Sequence, residues 1–108
     1  MINNIGKIPI TESAYYILLS LFTPNHGYGI MQNISEISNS RINMGPGTLY
    51  GALTNLLDKG WIVLVSEDSR KKEYLITELG KEIVENEVGR LNELCINGNR
   101  ILGGIKND

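Results

Sequence analysis

At Gly60 the hydrophobic period of this 108-residue chain changes, and that change restricts what the chain can fold into. Before Gly60, Leu49, Leu53, Leu56 and Leu57 recur at i, i+4, i+7 and i+8, which is the spacing of one helix face. Gly60 itself is the residue type that ends a helix in the left-handed conformation. After it, Trp61-Ile62-Val63-Leu64-Val65 is an unbroken apolar run rich in β-branched residues and predicts a strand. Glu67 to Arg70 is polar and turn-like, and Lys71 to Ile76 returns as a second strand. A helix handed directly to a hairpin is the centre of the molecule.

The flanking segments read as helices. Residues 1–10, ending in Ile8-Pro9-Ile10, are expected to form an extended arm. Thr11 or Ser13 can cap a buried helix over Ala14 to Phe22, with Tyr15, Leu18, Leu19 and Phe22 on one face. Thr23-Pro24-Asn25 stops it. His26-Gly27-Tyr28-Gly29 opens a second helix striped by Ile30, Ile34 and Ile37, with Met31 beside them, and Ser38-Asn39-Ser40 ends it. Gly45-Pro46-Gly47 starts the third, with Pro46 in the first turn, where a missing N–H costs nothing.

Thr77 caps a long fourth helix. Along it Val84, Val88, Leu91, Cys95, Gly98, Leu102 and Ile105 follow the 4, 3, 4, 3 spacing of a heptad seam, widened by Leu94 and Ile101. No globular core remains for so long a stripe to cover, so its expected recipient is a second copy of the chain. Asn97-Gly98-Asn99 is the place where this helix would break, and Gly103-Gly104 is expected to end it.

The fold class is therefore mainly α with a small β-hairpin, a winged helix-turn-helix followed by a long dimerisation helix. Residues 1–10 are the arm, 11–76 the winged domain and 77–108 the C-terminal helix and tail. In such an architecture the third helix enters the DNA major groove and the hairpin follows the backbone. The leucine face turns inward, leaving Thr48, Tyr50, Gly51, Thr54, Asn55 and Asp58 outward. Gly47 and Gly51 keep the helix start slim, and its free N–H groups suit an anion. Thr48 can bond a phosphate or a base edge, and Asn55 can read adenine. Arg70, Lys71 and Lys72 at the hairpin tip supply phosphate contacts, and Tyr28 either adds its hydroxyl to them or packs its ring between helices.

Charge limits this reading. The net charge is −2. Residues 1–77 carry six positive and six negative groups, and residues 78–108 carry four positive against six negative, so the acidic excess lies in the last helix. A winged-helix protein-interaction module without DNA binding is the alternative that this balance favours. One cysteine and one histidine assemble neither a zinc site nor a nucleophile–base pair. Gly45-Pro46-Gly47-Thr48 lacks the lysine of a phosphate-binding loop, so no enzyme, metal or cofactor is expected. His26 reads as structural, Tyr74 as core, and Trp61 as core or dimer packing. Cys95 reads as a small thiol on the seam. No apolar run is long enough to span a membrane, which makes a cytoplasmic protein the expectation.

Five stretches in order carry a resemblance. They are Tyr16-Ile17-Leu18-Leu19-Ser20-Leu21, His26-Gly27-Tyr28-Gly29-Ile30, Gly45-Pro46-Gly47-Thr48-Leu49-Tyr50-Gly51-Ala52-Leu53, Lys59-Gly60-Trp61-Ile62, and the run Arg70 to Gly80. Together they resemble the PadR family of bacterial transcriptional regulators from Ile10 to Leu102, in its compact branch with one C-terminal helix. The resemblance implies a homodimeric repressor on a palindromic operator in double-stranded DNA, released by a small-molecule effector. The dimer interface would comprise Val84, Val88, Leu91, Leu94, Cys95 and Leu102. An effector space between domain and helix would draw on Tyr15, Tyr16, Met31 and Leu94. The third helix has no basic residue on its outer face before Lys59, which moves the weight of recognition to helix amides, Thr48, Tyr50 and the wing.

Overall fold

The computed structural model describes residues 8–68 and 71–107, the last three of these by backbone alone. Three helices come first, α1 (Glu12–Leu19), α2 (Gly27–Ile37) and α3 (Pro46–Asp58), with the short strand β1 (Asn25–His26) between the first two. Strands β2 (Ile62–Glu67) and β3 (Lys72–Ile76) form the wing, and α4 (Glu78–Asn107) closes the chain. The sheet is antiparallel in the order β1-β3-β2, with Leu64 opposite Tyr74 on one side and Asn25 opposite Tyr74 on the other. β1 is a third strand that the expected hairpin lacked. Two residues are too few for a period-2 pattern to show.

Each helix boundary has a local cause. Thr11 caps α1 by accepting from the Ala14 N–H, 3.0 Å. α1 is shorter than its apolar run: it stops at Leu19, Ser20 turns its hydroxyl back to the Tyr16 carbonyl at 2.9 Å, and Phe22 is left exposed while Leu21 is buried. His26 caps α2, its Nδ1 accepting from the Gly29 N–H at 3.3 Å, which gives the lone histidine a structural task. Ile37, at the end of the stripe, is exposed. Gly60 follows α3 at φ +76°, the left-handed conformation expected of it. Thr77 caps α4, accepting from the Gly80 N–H at 3.0 Å while donating to the Gly60 carbonyl at 2.7 Å.

The core is one cluster drawn from every helix and from the wing. Ile17, Leu18 and Leu21, Ile30 and Ile34, and Leu49, Leu53 and Leu56 meet Ile62, Tyr74, Ile76, Ile83 and Val84. Two expectations are corrected here. Leu57 lies on the edge of the leucine face and stays exposed, because 3.6 residues per turn carries it off the stripe that Leu49, Leu53 and Leu56 define. Val84, expected at the dimer seam, is buried within the domain's own core beside Ile83, so it is not available to a partner.

α4 runs unbroken for 30 residues through Asn97-Gly98-Asn99 and through Gly103-Gly104. Glycine costs a helix only about 1 kcal/mol per position, which flanking helix formers absorb. The helix carries the molecule to a longest dimension of 63 Å. Its root is fixed at Gly80, where an added Cβ would collide with the Trp61 carbonyl oxygen and lie 3.1 Å from its carbon. Both partners are backbone, so neither can step aside. Gly80→Ala is therefore expected to destabilise the protein by about 1–3 kcal/mol. Urea unfolding measures this, and an unchanged midpoint contradicts the contact.

Candidate nucleic-acid interface

α3 has one buried face, so its other faces are fixed by rotation. Thr48, Tyr50, Gly51, Thr54, Asn55 and Asp58 are all exposed, as is Gly47. Cβ atoms placed on Gly47 or Gly51 would meet nothing within 4 Å, so the helix start is both slim and uncovered. Gly45, the residue capping it, has no side chain to occupy the first N–H groups. The Thr54 hydroxyl donates to the Tyr50 carbonyl at 3.0 Å, which leaves its oxygen free to accept.

Beside this surface lies an open groove of about 910 Å³ lined by His26, Gly27, Tyr28, Tyr50, Glu67, Asp68, Lys71, Lys72 and Tyr74. The groove brings together four of the residues singled out from the sequence: Tyr28 from α2, Tyr50 from α3, and Lys71 and Lys72 from the wing. Tyr28 is 64% exposed, and its hydroxyl accepts from Gln32 Nε2 at 3.2 Å, so its own proton points to solvent or ligand. Tyr74 is buried as expected, and that burial, with Tyr50 and Glu67 nearby, pushes its phenol up in pKa.

The wing tip is shaped by acid as well as base. Asp68 accepts from the Lys71 N–H at 3.0 Å, and its own N–H donates to the Lys71 carbonyl at 3.1 Å. Lys72 lies 3.8 Å from Glu67 with both side chains exposed, a pairing worth less than about 1 kcal/mol and easily given up to a phosphate. Arg70 lies outside the described residues. A bulge between Leu64 and Ser66 shifts the register of the β2–β3 ladder.

Asn55 is not part of the groove. It lines a separate hollow of about 290 Å³ with Pro9, Thr11, Lys59 and Trp61. Lys59 stands over the Trp61 ring, 4.7 Å from its centroid, and Trp61 itself is half-buried against the core.

Glu87, in the acidic last helix, is 3% exposed and held by Arg90 through Nε at 2.8 Å and Nη2 at 2.6 Å. Its spacing from Ile83 was the available signal, since i+4 continues the buried face. The Arg90 hydrogen bonds outweigh burial and hold the Glu87 carboxyl below the ordinary glutamate range, with the Arg90 charge and the Ile10 N–H adding in the same direction. The pair thus joins the end of the arm to α4. Beside it, Ile10, Glu12, Tyr15, Tyr16, Glu87, Arg90 and Leu91 surround a hollow of about 310 Å³. Tyr15 and Tyr16 meet there as anticipated, whereas Met31 and Leu94 are not among its walls.

From Val88 onward the apolar side chains of α4 lose their cover. Val88, Leu91, Leu94, Cys95, Ile96, Ile101 and Leu102 are all exposed, Leu94 by 54%. The side chain of Ile105 lies outside the described residues. Among the described residues no His/Cys/Asp/Glu group could hold a metal, and no helix is long and apolar enough to cross a membrane.

The model of the PadR-like family of transcriptional regulators matches residues 17–86, from α1 through the wing into the root of α4. The chain belongs to that family. It is similar to the structure of a transcriptional regulator from Clostridium thermocellum, 27% identical with a TM-score of 0.64, over 83% of this chain and 97% of that one. The PadR-like chain is also similar to H. salinarum RosR, 23% identical with a TM-score of 0.67, over 92% of this chain and 93% of that one. A third similar structure is Bacillus subtilis PadR in complex with operator DNA, 25% identical with a TM-score of 0.63, over 74% of this chain and 48% of that one. A curated relative, an uncharacterised 37.1 kDa protein in transposon TN4556 of Streptomyces fradiae, is 37% identical over 71 residues. The match takes in 66% of the PadR-like chain but spans only a fifth of that relative's length.

The depressed Glu87 pKa makes a pH prediction. Stability from the ionised carboxylate is present above the unfolded value and lost as pH falls through the folded one. Glu87→Gln is expected to melt below the wild type at neutral pH, and the gap to close as pH falls from about 5 to 3. Melting curves across that range check it, and a gap independent of pH contradicts the ion pair.

Proposed function

We propose that this chain is a homodimeric transcriptional repressor that binds a palindromic operator in double-stranded DNA and is released from it by a small molecule. In this reading residues 11–76 are the DNA-binding domain, 77–108 the dimerisation helix and tail, and 1–10 the arm. The observation that carries it is the placement of Tyr28, Tyr50, Lys71 and Lys72 around one open groove, beside the uncovered start of α3. That combination suits a sugar–phosphate backbone: phenols donate to phosphate oxygens, and ammonium groups displace condensed counterions. Gly47, Thr48 and Gly51 lead α3 into the major groove, with Thr54 following one turn on. Asn55, on the arm-side flank of α3, stands at the edge of the footprint. Arg70 adds a third positive charge to the wing in sequence. The Bacillus subtilis PadR complex with operator DNA supports the same use of the fold.

Dimerisation is supported by the bare stripe of α4. Val88, Leu91, Leu94, Cys95 and Leu102 form an apolar run longer than a monomeric surface ordinarily leaves in water. The hollow between α1 and α4 supports the release step, because a molecule seated against Tyr15, Tyr16 and Leu91 touches both the reading domain and the helix that sets dimer geometry. Nothing in this reading calls for a cofactor or for catalysis, and it places the protein in the cytoplasm with its DNA.

A gel-shift titration on DNA upstream of the chain's own gene tests the reading. A specific band at moderate salt is expected, and its absence with folded dimeric protein contradicts it. The interaction-module alternative rests on the net charge of −2. Lys71→Ala with Lys72→Ala separates the two, since each lysine engaged with phosphate contributes about 0.9 to the salt slope. A repressor loses DNA affinity and slope, whereas a module that does not bind DNA forms no specific complex with or without the two lysines. Leu91→Glu with Leu94→Glu is expected to convert dimer to monomer in light scattering, and an intact dimer contradicts the assigned seam.

A further inference from the structure

Gly27 is the first residue of α2 and is buried although its neighbour Tyr28 is not. A Cβ placed on Gly27 would overlap the Tyr50 hydroxyl and stand 2.8 Å from Cζ and 3.3 Å from Cε1 of the same ring. Tyr50 is thus laid across the first turn of α2 in a space that only glycine leaves. The contrast with Gly80 decides what this means. At Gly80 an added methyl meets backbone, which cannot yield, whereas at Gly27 it meets the far end of a side chain that is 49% exposed. The ring tip has open groove to swing into, so the domain survives the substitution and the pose of Tyr50 does not.

That pose matters because of where the hydroxyl lies. With Tyr50 on Gly27, its phenol sits in the same groove as Tyr28, Lys71 and Lys72, with Tyr74 behind. Moved off Gly27, it loses that place. On the DNA-binding reading proposed above, we infer that Gly27 is a positioning residue for recognition: the bare backbone at the start of α2 is the seat that holds the Tyr50 hydroxyl at the level of the DNA contacts. Two helices of the motif are thereby set relative to each other at the reading surface as well as in the core. Gly27 never touches DNA. It acts through Tyr50 alone, and this makes its effect separable from a fold defect.

The test uses the full-length chain and the tightest duplex that the wild-type protein selects from a random-sequence library. Gly27→Ala is expected to keep the wild-type melting temperature within a few degrees and to weaken binding about tenfold, the scale of one charge-assisted hydrogen bond. Tyr50→Ala alone is expected to weaken binding at least as much. Combining Gly27→Ala with Tyr50→Ala is expected to cost no more than Tyr50→Ala by itself, because the clash needs the ring. Losses that add in the double variant, or Gly27→Ala binding like wild type, overturn the inference. If Gly27→Ala melts early, Tyr50→Ala in the same chain removes the colliding ring and restores the melting temperature, and failure to restore it also overturns the inference. Selection of no duplex by the wild type overturns the DNA-binding reading and this inference with it, which distinguishes the two failures.

Discussion

A helix of thirteen residues has one face to bury, and α3 spends that face on Leu49, Leu53 and Leu56. Everything at the candidate interface depends on this. Once the leucines are locked against Ile17, Leu18, Ile30 and Ile34, rotation of α3 about its axis is no longer free. Truncating one such leucine costs about 2–5 kcal/mol, a large part of a small domain's stability. Thr48, Gly51 and Thr54 are outward as a consequence of that packing, and Tyr50 is carried towards α2 by it. The polar residues of the reading face contribute little to the fold, and the fold presents them.

The second dependence runs through the root of α4. Gly80 lets the helix close on the Trp61 carbonyl, Thr77 ties its start to the end of α3, and Glu87 with Arg90 holds it beside Ile10. These contacts make the first three turns of α4 part of the domain. Past Arg90 the apolar stripe of the helix is uncovered, so one continuous helix joins the candidate interface to whatever α4 packs against. In the proposed dimer, a change in how two such helices meet would move both candidate DNA surfaces relative to a duplex. The hollow beside Tyr15, Tyr16 and Leu91 lies where the helix leaves the domain.

Much of this was legible in the sequence because strong periodicity and strong punctuation coincide. The leucine stripe, the apolar run after Gly60 and the capping threonines gave the helix–helix–helix–wing order, and the five motif stretches gave the family. What escaped was of a different physical kind. β1 is two residues long and exists through its pairing with β3, a partner almost fifty positions away. Val84 satisfies the core and the heptad at once, and periodicity cannot say which face wins. Gly98, Gly103 and Gly104 have the composition of a break, yet a long helix absorbs them. Glu87 falls on the buried face although a carboxylate usually stays in water, and the arginine one turn on offsets its burial. Asn55 and Tyr50 share the outer side of α3, but the five-residue offset sends one towards the arm and the other to the groove. The contact of Tyr50 with Gly27 was not legible because a glycine in a sequence does not say which residue approaches it.

The central claim is that the exposed side of α3 and the groove it shares with the wing meet DNA, while the bare stripe of α4 meets a second copy. Amide hydrogen exchange of the full chain, with and without its selected duplex, separates these surfaces directly. The account predicts that the duplex adds protection over residues 45–55 and at Tyr28 and Lys71 to Tyr74, with residues 91–102 already protected in the free dimer. Protection gained along 91–102 on adding duplex, with residues 45–55 unchanged, would contradict it.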